Sequence, residues 1–403
     1  MRFPFTALHV VQPGDGGVAR VVADMVGAQV AQGARVAVAC PPGTPLAAAV
    51  RERGGEVHPW RAGRQPGPRL AAETRRVVEL VRLVGPDLVH AHSAKAGLAV
   101  RLAVRGRVPT VYQPHAWSFE AVGGVTAVLA RSWERWAGAR WTDRIVCVSE
   151  AERLRGERAG VQARWSVVRN GVDTARFRAE ADRSATRAPG QPRTLPPARV
   201  PAPGTAAETA TAAAPVSAPV VLCVGRLCPQ KGQDTLLRAW PSVVARVPLA
   251  RLVLVGDGPS AAALRAAAPP SVVFAGAVED TAPWYRAADL VVLPSRWEGM
   301  ALAPLEAMAS GRPVLLSDVD GARESLPPGH EAHCLVPPDD PDALAAALVR
   351  LLRRPVLRWA LGQRAHHHVR SRFDVRHTQE ALADVYRQVA APRGRDVREP
   401  IAQ

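Results

Sequence analysis

The hydrophobic pattern of the chain alternates short apolar runs with longer amphipathic stretches over most of its length. Short runs that are apolar on both faces are typical of buried parallel strands, and the stretches between them favour helices. The runs fall into two series, which predicts an α/β protein with two doubly wound domains. The predicted strands are Ala7–Val11, Arg35–Ala39, Leu88–His90, Thr110–Gln113 and Ile145–Val148 in the first series, and Val220–Val224, Arg251–Val255, Val272–Ala275, Leu290–Pro294 and Pro313–Ser317 in the second.

A segment without hydrophobic periodicity separates the two series. Residues 181–218 are rich in Ala, Pro, Thr and Arg, a composition that cannot build a core and predicts a disordered linker. The expected organisation is an N-terminal domain at 1–178, the linker at 179–218, a C-terminal domain at 219–374, a helix at about 375–390 that packs back on the N-terminal domain, and a flexible tail at 391–403.

Composition narrows the class of protein. The chain has 403 residues, 47% of them hydrophobic, so two domains can each bury a core. A net charge of +16 favours anionic partners such as nucleotides or lipid headgroups. No zinc finger, helix-turn-helix or RNA-binding motif is present, so we expect no nucleic acid partner. The five cysteines lack metal-site spacing, and no apolar run approaches the roughly 20 residues of a bilayer span. A cytoplasmic protein is expected, with contact to the inner membrane surface left open.

Lysine is rare in this chain. Of 52 basic residues only Lys95 and Lys231 are lysines, which leaves fifty arginines. Lys231 follows an apolar run in the sequence Gly225-Arg226-Leu227-Cys228-Pro229-Gln230-Lys231-Gly232. Two cations and free backbone N–H groups would then lie at the carboxyl end of a strand, where open α/β sheets bind phosphates. The alternative is a surface lysine without a role.

Several motifs occur in a fixed order along the chain. The C-terminal series carries Gly225-Arg226 with Lys231-Gly232, then Leu254-Val255-Gly256-Asp257-Gly258-Pro259, Ala287-Ala288-Asp289, Glu298-Gly299 followed by Glu306-Ala307-Met308-Ala309, and Asp318, Gly321 and Glu324. The N-terminal series carries Gly16-Gly17 with Arg20, Asp87 to His92, His115, Val148-Ser149-Glu150 and Asn170-Gly171-Val172-Asp173. With these motifs in this order, the chain resembles the retaining glycosyltransferases of family 4, which have the two-domain GT-B fold.

The resemblance implies a role for each matching residue. It places Arg226, Lys231, His115 and Glu298 at the catalytic centre, and it implies a donor site formed by Gly16, Gly17, Gly225, Gly256, Gly258, Gly299, Met300, Ala301, Leu302 and Glu306. Arg226 and Lys231 would stabilise the charge that develops on a leaving diphosphate, while Glu306 would accept hydrogen bonds from ribose hydroxyls. The cations take the place of a metal ion, so we expect neither a metal nor another cofactor. For Gly16 and Gly17 a tight turn is the simpler alternative, and for His90 a buried core position is favoured.

The expected function is retaining transfer of a sugar from a nucleoside-diphosphate sugar to an acceptor hydroxyl. The acceptor site would lie in the N-terminal domain and include His92 and Lys95. Lys95, at a predicted helix start, would bind an acidic acceptor group such as a polyprenyl diphosphate carrying a glycan. The Trp133–Trp141 segment either packs on the sheet or rests on a membrane. A transferase for small soluble acceptors, a sugar-nucleotide epimerase and a non-catalytic sugar-nucleotide-binding protein are the alternatives.

Overall fold

The computed structural model describes residues 5–63, 67–120, 122–177, 195–196 and 218–390. The predicted linker lies outside the described residues apart from 195–196 and residue 218, and so does the predicted tail at 391–403. Leu195, which the composition assigned to the disordered linker, is partly buried and packs against the hydrophobic core. The composition of the linker therefore did not predict this contact.

The N-terminal domain is built on a parallel sheet of seven strands. The strands are β1 (Thr6–Val11), β2 (Arg35–Cys40), β3 (Glu56–Pro59), β4 (Leu88–His92), β5 (Thr110–Gln113), β6 (Arg144–Cys147) and β7 (Trp165–Val167). They lie in the order β3-β2-β1-β4-β5-β6-β7. Its helices are α1 (Gly16–Ala31), α2 (Pro45–Glu52), α3 (Leu70–Val84), α4 (Ala94–Val104), α5 (Gly124–Trp141) and α6 (Glu150–Arg158), with a 3-10 turn at Ser118–Glu120.

The C-terminal domain repeats the same topology with six strands. They are β8 (Val220–Val224), β9 (Arg251–Val255), β10 (Val272–Gly276), β11 (Leu290–Leu293), β12 (Val314–Ser317) and β13 (Leu335–Val336), in the order β10-β9-β8-β11-β12-β13. The helices are α7 (Gln233–Arg246), α8 (Ala261–Ala267), α9 (Ala282–Ala287), α10 (Leu302–Ala309), α11 (Ala322–Ser325), α12 (Glu331–Cys334), α13 (Pro341–Leu352), α14 (Pro355–Arg372) and α15 (Val375–Ala390), with a 3-10 turn at Pro229–Lys231.

The last helix, α15, lies against the N-terminal domain. The Tyr386 hydroxyl is 2.5 Å from His90 Nδ1 on β4, and Thr378 donates a hydrogen bond to the Arg169 carbonyl. Because α15 carries its buried residues at helical spacing, including Leu382, Val385 and Tyr386, it covers the sheet with one apolar face. The final helix of the chain thus ties the two domains together.

The ten strands that the apolar runs predict are all present, and the pattern missed three more. These are β3, β7 and β13, which lie at sheet edges or beside them and are short or only half-buried. An edge strand needs no continuous apolar run, because one of its sides faces solvent. Among the described residues, no helix is long and apolar enough to cross a membrane.

Candidate functional site

The site lies where the carboxyl ends of the two sheets face each other. In each sheet the strand order reverses beside the first strand, between β1 and β4 and between β8 and β11. Loops that leave such a point in opposite directions open a crevice, which is where doubly wound sheets bind ligands. The loops after β1, β5, β8 and β11 carry most of the residues that the sequence singled out.

Lys231 lies in this crevice and contacts a carboxylate. Its Nζ is 2.5 Å from Glu298 Oε1, and the Ser295 hydroxyl donates to the same oxygen at 2.7 Å. Within the described ranges, the Arg226 guanidinium has no ion-pair partner. The loop after β8 therefore presents one paired and one unpaired cation beside the loop after β11.

Glycines let the loops of the C-terminal domain pack backbone against backbone. A Cβ on Gly256 would lie 2.1 Å from the Gly225 carbonyl oxygen, and one on Gly258 would lie 2.4 Å from the Leu227 carbonyl oxygen. Gly225 itself faces the aliphatic part of Lys231, about 3.8 Å away. These glycines therefore hold the loop that carries Arg226 and Lys231 close to the loop after β9.

Glu306 is buried on α10, and both of its oxygens are hydrogen-bonded. Oε2 accepts from the hydroxyls of Tyr285, at 2.9 Å, and Thr281, at 3.3 Å, and Oε1 pairs with Arg20 of the N-terminal domain. The Glu306 charge raises the pKa of Arg20. Burial, followed by the same carboxylate, raises the pKa of Tyr285 well above its usual value. A cross-domain ion pair thus holds the residue expected to bind ribose.

The loop at Gly299 contacts the N-terminal domain directly. A Cβ on Gly299 would lie 2.8 Å from Val148 Cγ2 and 3.1 Å from the His115 carbonyl carbon. Asn170 donates a hydrogen bond to the Met300 carbonyl at 2.7 Å, and a Cβ on Gly17 would lie 3.8 Å from Leu302 Cδ1 across the crevice. Ala301 is the N-cap residue of α10, and Gly16 adopts a positive φ of 74° with open space beside it. The structure therefore brings the predicted donor residues of both domains together.

His115 has an unusual backbone and a neutral side chain. Its φ is 58°, and Ala116 has φ of 140°, values that a non-glycine residue adopts only at a cost and that cluster at functional sites. Burial of the ring lowers its pKa to about 3. An imidazole with such a pKa stays uncharged at neutral pH, so His115 can exchange hydrogen bonds with a ligand but brings no positive charge.

A group of buried histidines lies behind His115. His92 Nδ1 is 3.2 Å from His115 Nε2, His92 Nε2 is 2.9 Å from His9 Nδ1, and His9 Nε2 is 2.9 Å from Gln29 Oε1. His90 is fully buried and bonded to Tyr386, as the core interpretation predicted. Contrary to the prediction that His92 contacts the acceptor directly, its ring is fully buried and lies beneath His115.

Lys95, which was predicted to bind an acidic acceptor group, is buried as well. Its side chain is only 2% exposed, and its Nζ is 2.6 Å from Glu73 Oε2 of α3. Glu73 also accepts a hydrogen bond from the Gly63 backbone. Contrary to the predicted anion site, the lysine turns into the domain and pairs with a buried carboxylate, which the local sequence does not reveal.

Several residues of the site escaped the sequence interpretation. His9 and Gln29 are polar positions within an apolar strand and an apolar helix, and this interruption was the available signal. The sequence carried no comparable signal for Tyr285 and Tyr386. In addition, Ser93 Oγ, Gln113 Oε1 and Asn170 Oδ1 are buried without a hydrogen-bond partner among the described residues. Orphaned polar atoms of this kind are rare in the absence of a ligand or water.

Among the described residues, one histidine cluster has ligand atoms close enough to hold a metal ion. It consists of His9, His90 and His92, whose ligand atoms all lie within 4.8 Å of one another. This cluster is in the core of the N-terminal domain, away from the Lys231 loop. The donor side of the crevice offers cations and hydrogen-bonded carboxylates instead.

The chain is similar to known glycosyltransferases over both domains. Residues 15–176 match the family model described as Glycosyltransferase Family 4, and residues 218–354 match the model described as Glycosyl transferases group 1. The D-inositol 3-phosphate glycosyltransferase 2 of Catenulispora acidiphila is 32% identical over 381 residues, which cover 86% of this chain and 82% of the relative. A GDP-mannose-dependent monoacylated alpha-(1-6)-phosphatidylinositol monomannoside mannosyltransferase of Corynebacterium glutamicum is 35% identical over 41% of this chain and 46% of its own length.

The fold is shared with solved structures. The Anabaena protein HepE, crystallised with UDP and glucose, superposes with a TM-score of 0.75 at 20% identity and covers 95% of this chain and 100% of its own. The facing Rossmann-like domains, the loops that meet at the crevice and the relatives that span most of the chain agree on one assignment. The chain belongs to glycosyltransferase family 4 and is a transferase with the GT-B fold.

Proposed function

We propose that the protein transfers a sugar from a nucleoside-diphosphate sugar to an acceptor hydroxyl with retention of anomeric configuration. The observation that supports this proposal best is the placement of Arg226 and Lys231 after β8, where Lys231 pairs with Glu298 and the adjacent Gly299 packs against the His115 backbone. In this proposal the two cations bind the diphosphate of the donor, and the His115 loop lies beside the sugar that the diphosphate carries.

The chemistry follows from where charge develops. As the bond between the anomeric carbon and the phosphate oxygen breaks, its electron pair passes to the diphosphate, and Lys231 and Arg226 stabilise the growing negative charge. The acceptor oxygen forms its bond to the anomeric carbon on the same face, and its proton passes to the departing phosphate oxygen. Family membership supports this front-face route, which needs no nucleophile from the protein.

The carboxylates adjust when the donor enters. In the structure Glu298 neutralises Lys231, and Glu306 pairs with Arg20. A diphosphate would compete for both cations because it carries more charge than one carboxylate. Glu298 would then be free to accept hydrogen bonds from the sugar, and Glu306 from the ribose. Arg20 would exchange Glu306 for a phosphate oxygen, which couples donor binding to the contact between the domains.

For the acceptor, we favour a glycan or sugar linked to a lipid at the membrane surface. Helix α5 begins nine residues after His115 and exposes Val125, Val128 and Leu129 by 76%, 60% and 65%. Their spacing of three and four residues places them on one side of the helix. Exposed Arg131 and Arg140 on the same helix suit anionic headgroups. Trp133, Trp136 and Trp141 contact one another instead of forming this apolar side.

A small phosphorylated acceptor is the second candidate. It is supported by relatives that span most of the chain and are named for D-inositol 3-phosphate. Such an acceptor needs no membrane. Its anionic group would have to meet a cation other than Lys95, which is paired in the core.

Transfer assays with purified protein test these proposals. UDP- and GDP-sugars are offered with two acceptors, inositol phosphate in solution and a phosphatidylinositol mannoside in vesicles, and the product anomer is read by NMR. We expect the product to keep the donor's configuration, and an inverted product would contradict the retaining mechanism.

The membrane surface has its own test. Co-sedimentation with phosphatidylglycerol vesicles should exceed that with phosphatidylcholine vesicles and should fall in Val128→Asp and Leu129→Asp. Val356→Asp is a matched control, because Val356 is also an exposed aliphatic residue, at 76%, but lies on α14 of the other domain. If the α5 variants sedimented with the vesicles as well as the wild type does, α5 would be excluded as a membrane contact. The same would follow if the wild type did not sediment with either kind of vesicle.

A further inference from the structure

The buried histidines form one continuous chain of hydrogen bonds that ends at the crevice. Four polar side chains follow one another without a gap: Gln29, His9, His92 and His115. Gln29 comes from α1, His9 from β1 and His92 from β4, so the chain crosses the N-terminal domain beneath the site. His9, His92 and Gln29 are buried, and the chain of hydrogen bonds is complete without a bridging water.

Burial keeps these rings uncharged. It lowers the pKa of His9 to about 4 and that of His115 to about 3, and it lowers the pKa of His92 well below its usual value. A neutral imidazole has one N–H donor and one bare acceptor nitrogen. Each contact between two neutral rings therefore has a direction, and fixing one direction fixes the next.

The direction is set at the buried end. In the structure the Gln29 amide turns Oε1 towards His9, and because this oxygen can only accept, His9 carries its proton on Nε2 and leaves Nδ1 bare. A reversed amide would donate from Nε2 and would fix the opposite tautomer at His115. His92 must then donate from Nε2 to His9 Nδ1, which leaves His92 Nδ1 bare. His115 must in turn donate from Nε2 to His92 Nδ1. The one nitrogen of His115 left for a ligand is the unprotonated Nδ1.

We infer that His92, His9 and Gln29 are positioning residues that fix His115 as the Nε2–H tautomer, so that it meets the substrate only as a hydrogen-bond acceptor. A hydroxyl of the transferred sugar or of the acceptor is the group that such a nitrogen recognises. A ring that could turn or change tautomer would lose this selectivity. The kinetic consequence rests on the proposed transferase function, whereas the tautomer itself does not.

His90 offers a matched control. It lies on the same strand as His92, is equally buried, and its ring centroid is 3.9 Å from that of His92. Its hydrogen bond runs to Tyr386 and not to His115. Replacing His90 or His92 by leucine removes a buried ring from the same place in the sheet, but only the second change interrupts the chain.

The tautomer can be read directly by NMR of protein with ¹⁵N-labelled histidine, with His115 assigned from the signal lost in His115→Asn. We expect Nε2–H at His115 in the wild type and in His90→Leu, and a mixture of tautomers in His92→Leu. An asparagine carries its amide oxygen near the position of a histidine Nδ1, so His92→Asn should restore the Nε2–H form. If the leucine variants do not fold, the wild type and His92→Asn still decide the matter.

Kinetics supply the second readout. With a nucleotide-sugar donor, His92→Leu should lower kcat about fivefold to tenfold, the usual value of one hydrogen bond, while the affinity for the free nucleotide stays unchanged. His92→Asn should recover most of the loss. An Nδ1–H tautomer at His115 in the wild type, or a His115 signal unaffected by His92→Leu, would overturn the inference. So would a zinc ion bound by His9, His90 and His92, since a metal would replace the proton between His9 and His92.

Discussion

The two sides of the crevice use different chemistry. The C-terminal side is charged, with Lys231, Glu298, Arg226 and Glu306 on or near loops that follow strands. The N-terminal side contributes Arg20 to the ion pair with Glu306, but its His115 loop is neutral and rests on histidines buried in the sheet. Loop charges can rearrange around an entering diphosphate at little cost in packing. A neutral ring that must present one particular nitrogen needs rigid support, and a closely packed core provides it.

The two lysines show the same contrast. Both are paired with a carboxylate, yet the side chain of Lys231 is 19% exposed at the crevice and that of Lys95 is 2% exposed in the core. A partly exposed pair can exchange its partner for a ligand. A buried pair cannot, because separating it would leave an uncompensated charge. The rarity of lysine predicted a ligand in both places, whereas the structure leaves only Lys231 able to exchange its partner for one.

The largest effect should come from breaking the buried pair. We expect Lys95→Met to lower the free energy of unfolding by about 3–5 kcal/mol, because Glu73 would be left charged and buried. Glu73→Gln combined with Lys95→Met should regain most of this loss, as measured by urea denaturation. The acceptor KM of the folded variant should equal that of the wild type, and a large rise would restore Lys95 as an acceptor residue.

On the charged side, Lys231→Ala and Arg226→Ala should each lower kcat by about 10²-fold or more, typical for the loss of a preorganised stabilising group. Steady-state kinetics of each variant test this. Arg238→Ala is the control, since Arg238 is exposed on α7 of the same domain and pairs with Asp339. Turnover close to the wild-type rate in both variants would contradict the assignment of the diphosphate site to this loop.

The neutral, buried His9 of the N-terminal side should make the free energy of unfolding depend on pH. Below pH 6.5 the unfolded chain protonates His9, whereas the folded protein does so only near pH 4. The unfolded state thus binds more protons in this window, and the stability from a neutral His9 is lost as the pH falls from about 6.5 to about 4. Relative to His9→Gln, the wild-type free energy of unfolding should fall by up to about 1.4 kcal/mol per pH unit. Parallel curves for the two proteins would show that folding does not lower the pKa of His9.

The smallest effect is expected from metal removal. We predict that EDTA leaves transfer activity unchanged, because we expect the cations of the donor side to take the place of a metal ion. Assays with and without chelator, followed by addition of Mg²⁺ or Mn²⁺, provide the measurement. Activity lost with EDTA and restored by either ion would show that a metal takes part.

Much of the fold could be predicted from the sequence, because buried parallel strands leave local apolar runs that helical stretches separate. The three missed strands, β3, β7 and β13, lack such an apolar run because they lie at the edges of their sheets. The residues of the C-terminal side were predictable for a related reason. Lys231 and Glu298 lie just after strands, and the sheet order alone brings the ends of β8 and β11 together.

By itself, then, the sequence determined the two-domain architecture, the family resemblance and the loops that meet in the crevice, since each of these follows from local pattern and strand order. The tertiary structure alone decided the partners of Lys95, Glu306 and His92. Glu73, Arg20 and His9 are distant from them in sequence, and neither polarity nor periodicity tells which buried groups will meet. Packing made that choice, because a buried charge or imidazole is stable only beside the partner that satisfies it.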